Sequence, residues 1–288
     1  MKRDFVGKAI FLVAFVVILV VSVYGFSGRM MSERHDSTTK ASETTTQGKE
    51  DKTEEKTTEK PTETTTEEEK GRELPKSTDK LVCFTFDDGP YAPVTNKILD
   101  TLEKYNGKAT FFVVGDRAGT YSDEIERASK MGCEIGTHTY SHVNLNTLSI
   151  DEMQREINKS CKVISKFSHK KVKVLRPPEG AANDTVKANV GMPMVMWSVD
   201  SRDWESRNAD SVYNMVMDNV YDGSIVLMHD LYPSTADAVA RLVPELSKQG
   251  YKFVTFSELM KIRGVDVEPG EKYFSATPQT PSEDDCAE

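Results

Sequence analysis

Short apolar runs recur from residue 81 onward, with stretches of helical periodicity between them. The runs LVCFTF (81–86), ATFFVV (109–114), CEIGTH (133–138), VKVL (172–175), MVMWSV (194–199), SIVLMH (224–229) and YKFVTF (251–256) read as strands. They are continuous rather than alternating, the pattern of parallel strands covered on both faces. The stretches near 94–105, 122–131, 150–167, 183–190, 209–221 and 235–249 read as helices. Ser149 and Glu152 form a capping box ahead of the third. Gly107, Gly132, Gly191, Gly223 and Gly250 each separate a helix from the next strand, where a left-handed C-cap is favoured. Seven strands with six intervening helices predict an α/β fold with a parallel sheet or barrel. The count is one short of an eight-fold barrel, so a smaller or distorted barrel is expected. Functional groups should then cluster at the C-terminal edge of the strands.

Outside this region the pattern changes. Ala9 to Gly28 is a run of 20 residues without a charge, long enough to span a bilayer as a helix. Lys2, Arg3 and Lys8 precede it and only Arg29 follows closely, so the positive-inside bias places residues 1–8 in the cytoplasm and the remainder outside. A cleaved secretory signal is the competing reading. The apolar run is longer than such signals use, and Val23-Tyr24-Gly25 is a poor cleavage site. Residues 29–80 form a Thr/Glu/Lys-rich linker with too little apolar surface to offset the entropy of ordering. Residues 265–288 read as a second, acidic disordered tail. The folding region is thus expected at 81–264.

Composition sharpens this division. The chain has 288 residues, 38% of them apolar and 29% charged, with a formal charge of −9. That balance lies outside the folding region, which is nearly neutral at −2. An acidic chain without a basic face gives no support to a nucleic-acid partner. Of the four cysteines, Cys83 and Cys133 sit in apolar runs and read as buried free thiols, with a bridge between them as the minority reading. No C-x-x-C spacing marks a redox or zinc-thiolate site.

Five motifs fall at expected strand ends. The first strand runs into Thr85-Phe86-Asp87-Asp88-Gly89-Pro90; neighbours in an extended chain face opposite ways, so Asp87 and Asp88 are expected to serve different roles. The third ends in His138-Thr139-Tyr140-Ser141-His142, whose two imidazoles at i and i+4 share one face of a helical turn and can grip one metal ion. Two His and one carboxylate leave a position for water, as catalytic zinc requires. The remaining three are Arg176-Pro177-Pro178-Glu179-Gly180, Asp200-Ser201-Arg202-Asp203-Trp204 and Leu227-Met228-His229-Asp230. Singly each has a plain structural account: an Asp-rich turn, a surface Arg, a charged loop, a strand-capping His. Together they place metal ligands, carboxylates and a third His around one rim.

In this order and on these elements the motifs resemble the polysaccharide deacetylase family, the NodB-homology domain of carbohydrate esterase family four, over about Lys80–Arg263. The run WSVDSRDW followed by GSIVLMHD is most similar to the bacterial peptidoglycan N-acetylglucosamine deacetylases. The resemblance implies a distorted barrel and a metal-dependent hydrolase that removes N-acetyl groups from a cell-wall glycan. It implies Asp87 as catalytic base, with Asp88, His138 and His142 holding one divalent ion, zinc in preference to cobalt or another. It implies His229 as general acid, Arg176 as the brace of Asp87 and Asp203 as the partner that orients His229. Pro178, Glu179, Trp204 and Leu227 are implied to shape the substrate groove. One residue departs from the family: Glu179 stands where an aromatic residue is usual, which bears on substrate fit more than on chemistry. The alternatives are chitooligosaccharide, N-acetylmuramic acid or O-acetylated polysaccharide as substrate, and, from another class, a non-catalytic glycan-binding domain. Together with the apolar run, the resemblance implies a cell-membrane protein whose catalytic domain lies outside the cell.

Overall fold

The computed structural model describes residues 74–278. The expected helix at 9–28, the segments 1–8 and 29–73, and residues 279–288 lie outside the described residues. Among the described residues no helix is long and apolar enough to cross a membrane.

The longest strand, β1 (Lys80–Asp87), runs through the centre of the sheet, and every residue after Lys80 is buried. Its alternate side chains serve two cores, as a period of two requires. Val82, Phe84 and Phe86 face a large cluster that includes Ile98, Leu99, Val239 and Leu242, while Leu81 and Cys83 face a smaller one with Val195 and Phe256. Helix α1 (Ala92–Lys104) leads to β2 (Thr110–Val113), α2 (Ser122–Lys130) to β3 (Glu134–Thr137), and α3 (Ile150–Ser168) carries the expected Ser149–Glu152 capping box. Next come α4 (Asp184–Asn189), β4 (Met194–Val195), β5 (Val199–Asp200), α5 (Asp203–Ser206) and α6 (Ala209–Asn219). The series closes with β6 (Ser224–His229), α7 (Pro233–Lys248), β7 (Tyr251–Phe253), α8 (Phe256–Ile262) and β8 (Lys272–Tyr273). The strands pair in parallel in the order β3-β2-β1-β6-β5, with β7 beside the first residues of β1 and β4 paired to β8.

The structure corrects five expectations. The barrel is not closed: single bridges at Thr137–Leu175, Leu175–Met194 and Ser224–Ser275 stand where continuous ladders would complete it. The expected strand at 172–175 reduces to the bridging residue Leu175, because Pro177, Pro178 and Pro193 lack the N–H that a ladder needs. The run 194–199 breaks into β4 and β5, since the Val195 and Met196 carbonyls accept from the Arg176 guanidinium. Residues 265–276 are not a disordered tail. Met194 N–H donates to Glu271 O and Met196 N–H to Tyr273 O, each at 2.8 Å, and the Tyr273 ring packs edge-on to Phe256. Gly223, at φ +90°, fits this return because a Cβ there would collide with the Ala276 carbonyl. Of the five expected glycine caps, Gly107 is the exception, the left-handed residue being Asn106 at φ 50°. Cys83 is a buried free thiol, so the minority bridge to Cys133, itself buried, is not formed.

A chain ended at Gly264 should therefore lose about 2–4 kcal/mol relative to one ended at Pro278, from the apolar surface of Val195 and Phe256 left uncovered and the burial of Tyr273 forgone. Urea unfolding of the two checks this; equal midpoints and slopes would return 265–276 to the role of a passive tail.

Candidate active site

The parallel register brings the chemistry to one edge. Asp87, the last residue of β1, is the direct neighbour of His229, the last residue of β6. Thr85 lies two residues before Asp87 and so on the same face of the strand. Arg176, with no exposure to solvent, reaches both from across the sheet. One guanidinium nitrogen donates to Asp87 Oδ1 at 2.8 Å and to Thr85 Oγ1 at 2.7 Å; the others donate to Val195 O and Met196 O at 2.8 Å each. The guanidinium also lies over the Phe112 ring, 4.4 Å from its centroid. A charge this deeply buried persists because every side of it is answered.

Asp88 does not continue the strand. Its φ of 69° swings the carboxylate back to the rim that Asp87 faces, so the two acids converge rather than facing apart. The His138–His142 segment is likewise a loop and not a helical turn, with left-handed residues at Thr139 (φ 64°) and His142 (φ 55°). These bends bring the imidazole rings within 4.9 Å, centroid to centroid.

Asp88, His138 and His142 have the makings of a cation site: one donor atom from each lies within 4.8 Å of the others. His138 Nδ1 donates to the Arg176 carbonyl at 2.7 Å, which fixes the tautomer and leaves a lone pair on Nε2. That lone pair faces Asp88 Oδ1 at 3.5 Å and Asp87 Oδ2 at 3.7 Å. His142 Nε2 stands 3.2 Å from the same Asp88 oxygen but is not aligned to donate to it, and Asp88 Oδ1 is buried without a hydrogen bond. Such opposed electron-rich atoms are mutually repulsive unless a cation lies among them. Four-coordinate bonds of ~2.0–2.2 Å put ligand atoms about 3.4 Å apart, close to the 3.5 and 3.2 Å that separate Asp88 Oδ1 from the two imidazole nitrogens. Burial would raise the Asp88 carboxyl, but the imidazoles of His142, His138 and His229 together outweigh it and hold it at about 2. Burial pushes His138 down, toward the neutral form that ligates. The closeness of the Asp88 carboxylate raises His142, with smaller contributions from the charges of Asp87 and Glu179.

His229 is held from behind. Its Nδ1 donates to Asp203 Oδ1 and its backbone N–H to Asp203 Oδ2, both at 2.7 Å. Asp203 is fully buried and also accepts from Trp204 N–H and the Thr235 hydroxyl. Nε2 is therefore the nitrogen turned toward the cleft. Burial alone would depress this imidazole; the Asp203 hydrogen bond and charge reverse that and push it up to about 9.

Of the expected groove residues, Pro178 and Leu227 are buried beneath the cleft. Trp204 is 46% exposed, an open platform rather than an enclosed wall. Glu179 is exposed at φ 60° and accepts from Asn144 Nδ2 at 2.7 Å. Sequence reasoning missed Thr85, Thr235 and Trp197. Thr85 had a signal, its spacing of two from Asp87. Thr235 had none, and Trp197, which lies 5.5 Å from the guanidinium of Arg176, is indistinguishable in sequence from a core residue.

Residues 75–195 match the family model described as polysaccharide deacetylase. A peptidoglycan-N-acetylmuramic acid deacetylase of Bacillus subtilis (strain 168) is 40% identical over 184 residues, 64% of this chain; the chain spans only 39% of that relative's length. A peptidoglycan-N-acetylglucosamine deacetylase of Bacillus cereus is 37% identical over 199 residues, covering 66% of this chain and 92% of the relative. A family 4 acetyl xylan esterase from Clostridium thermocellum, solved with a cobalt ion, superposes with a TM-score of 0.65 at 37% identity, covering 68% of this chain and 98% of that one.

Two measurements follow from the geometry. Isothermal titration should find one divalent-ion site, weakened about 100-fold or more in His142→Ala; unchanged affinity would remove that loop from the site. In an NMR pH titration the His229 ring should stay protonated above the ordinary imidazole range. Removing the carboxylate charge in Asp203→Asn destabilises the imidazolium, so its titration should move down by about one to three units. No movement would show that Asp203 does not set the charge of His229.

Proposed function

The chain belongs to the polysaccharide deacetylase family, and on that premise we propose that it hydrolyses N-acetyl groups of a cell-wall glycan, releasing acetate, with N-acetylglucosamine residues of peptidoglycan as the substrate. One observation carries the reading. A braced carboxylate, Asp87, and a carboxylate-backed imidazole, His229, are neighbours across β1 and β6, beside the Asp88–His138–His142 donor set. Amide hydrolysis needs a base on one side of the scissile bond and an acid for the leaving amine on the other.

In this reading Asp88, His138 and His142 hold one ion, and two imidazoles with a carboxylate are the donor set of catalytic zinc. When bound, the ion supplies Lewis acidity, polarising a carbonyl and making water easier to deprotonate. Asp87 Oδ2 accepts the proton of the attacking water, while Asp87 Oδ1, tied to Arg176, keeps the carboxylate from rotating away. The backbone N–H of Glu179 donates to the oxyanion as charge develops on the amide oxygen. His229 Nε2 gives its proton to the departing amine, and Asp203 stabilises the imidazolium until then. Leu227 and Pro178 form the floor against the acetyl methyl, and Trp204 offers its open face to a sugar ring. The enzyme is placed outside the cell, anchored through residues 9–28; the support is the charge-free run and the basic residues before it. N-acetylmuramic acid as the deacetylated sugar is the second reading, favoured by the B. subtilis relative.

The full chain with added zinc should release acetate from intact peptidoglycan and lose that activity to a strong chelator. Mass analysis of the digested product should find the lost acetyl groups on glucosamine. Asp87→Asn should lower kcat by about 100- to 10,000-fold, the usual worth of a positioned base. Full activity in the variant, or none in the metal-loaded wild type, would overturn the assignment.

A further inference from the structure

The loop that carries two of the three ion donors is held from outside the site. Its first residues pair with the chain that follows β2. His138 N–H donates to Val113 O at 2.9 Å, Gly115 N–H to Thr139 O at 3.0 Å and Asp116 N–H to Tyr140 O at 2.9 Å. That pairing stops at Tyr140, two residues short of His142. After the left-handed turn at Thr139 the successive N–H groups of Tyr140 and Ser141 converge, a concavity of the kind that binds anions. Here the anion is internal. Glu156 Oε2 on α3 accepts from Tyr140 N–H at 3.0 Å and from Ser141 N–H at 2.9 Å. Among the described residues the backbone from Ser141 to Val143 makes no other hydrogen bond.

Glu156 does not act alone. Lys159 Nζ lies over the Tyr140 ring, 3.5 Å from its centroid, and the Thr137 hydroxyl donates to Ser160 Oγ at 2.7 Å. Positions i, i+3 and i+4 share one helical face, so one face of α3 grips the end of β3 and its loop at three points. Gly115 admits the close fit, since a Cβ there would fall 2.8 Å from both the Tyr140 ring and the Ser160 hydroxyl. The grip matters because the two histidines are held unequally. His138 is buried and tied through Nδ1 to the Arg176 carbonyl. The His142 side chain is 42% exposed, and its place depends on the backbone that Glu156 anchors.

We propose that Glu156 is a positioning residue of the ion site. By filling the concavity at Tyr140 and Ser141 it sets where His142 stands, and with that the affinity and geometry of the divalent ion. The inference rests on the reading of Asp88, His138 and His142 as ion donors and extends it to a carboxylate that is not itself a donor.

The test uses the full chain and Co2+, whose visible absorption reports the geometry of its donors. Glu156→Ala should weaken Co2+ binding about tenfold in isothermal titration and shift the visible bands of the saturated site. Two further variants separate reach from charge. Glu156→Gln keeps an oxygen able to accept both N–H groups, so its affinity should stay within about threefold of the wild type, with the same bands. Glu156→Asp keeps the charge but is one methylene too short, so it should lose affinity severalfold and shift the bands; it carries the test if Glu156→Ala does not fold. Urea unfolding of the ion-free chains reads stability by itself. Lower midpoints with unchanged affinity and bands would leave Glu156 as a cap on the fold and overturn the proposal. Loss in Glu156→Gln with none in Glu156→Asp would assign the effect to charge and overturn it as well. If the wild type binds Co2+ but releases no acetate from peptidoglycan, the deacetylase reading fails while affinity and bands still decide this one.

Discussion

A guanidinium sealed from water sets the terms for the whole site. An unanswered charge in the interior costs several kcal/mol even after relaxation, so Arg176 dictates what surrounds it. Asp87 must be an acceptor in a fixed orientation, Thr85 must present its oxygen, and two carbonyls must be withheld from the sheet. The break between β4 and β5 follows from that last demand. The same residue's carbonyl fixes the tautomer of His138. A fold defect, a catalytic orientation and a ligand's protonation state therefore share one cause. Replacing Arg176 would strand Asp87 and three further acceptors together, so its loss would be felt as misfolding as much as lost chemistry.

The parts legible in sequence were those written by local chemistry. β1 and β6 are apolar runs ended by charged residues, and each proved a central strand. The Ser149–Glu152 box announced α3 because capping is settled within four residues. The family's motifs named every residue of the donor set and of the Asp87–His229 pair. What no motif stated is that Asp87 and His229 stand opposite one another, since their register joins residues far apart in the chain.

The parts that were illegible depend on backbone bends or distant partners. An i, i+4 histidine pair has the spacing of a helix, yet left-handed turns at Thr139 and His142 bring the rings together instead. Asp88 converges with Asp87 for the same reason. β8 is two half-buried residues in an acidic stretch, too short for any period to register, and it exists because β4 offers it a partner. Glu156 carries no sequence signal at all; its two bonds join α3 to a loop that only the fold brings beside it.

The return of the chain at 271–276 has a consequence in time. Met194 and Met196, which bracket the carbonyls that hold Arg176, take their backbone acceptors from Glu271 and Tyr273. A ribosome makes Asp87 early and Tyr273 late. Until residues 271–276 emerge, the strand that carries those carbonyls has no outer neighbour. The site is thus completed only after they are made, and a chain stopped short of them would lack support for the brace on Asp87.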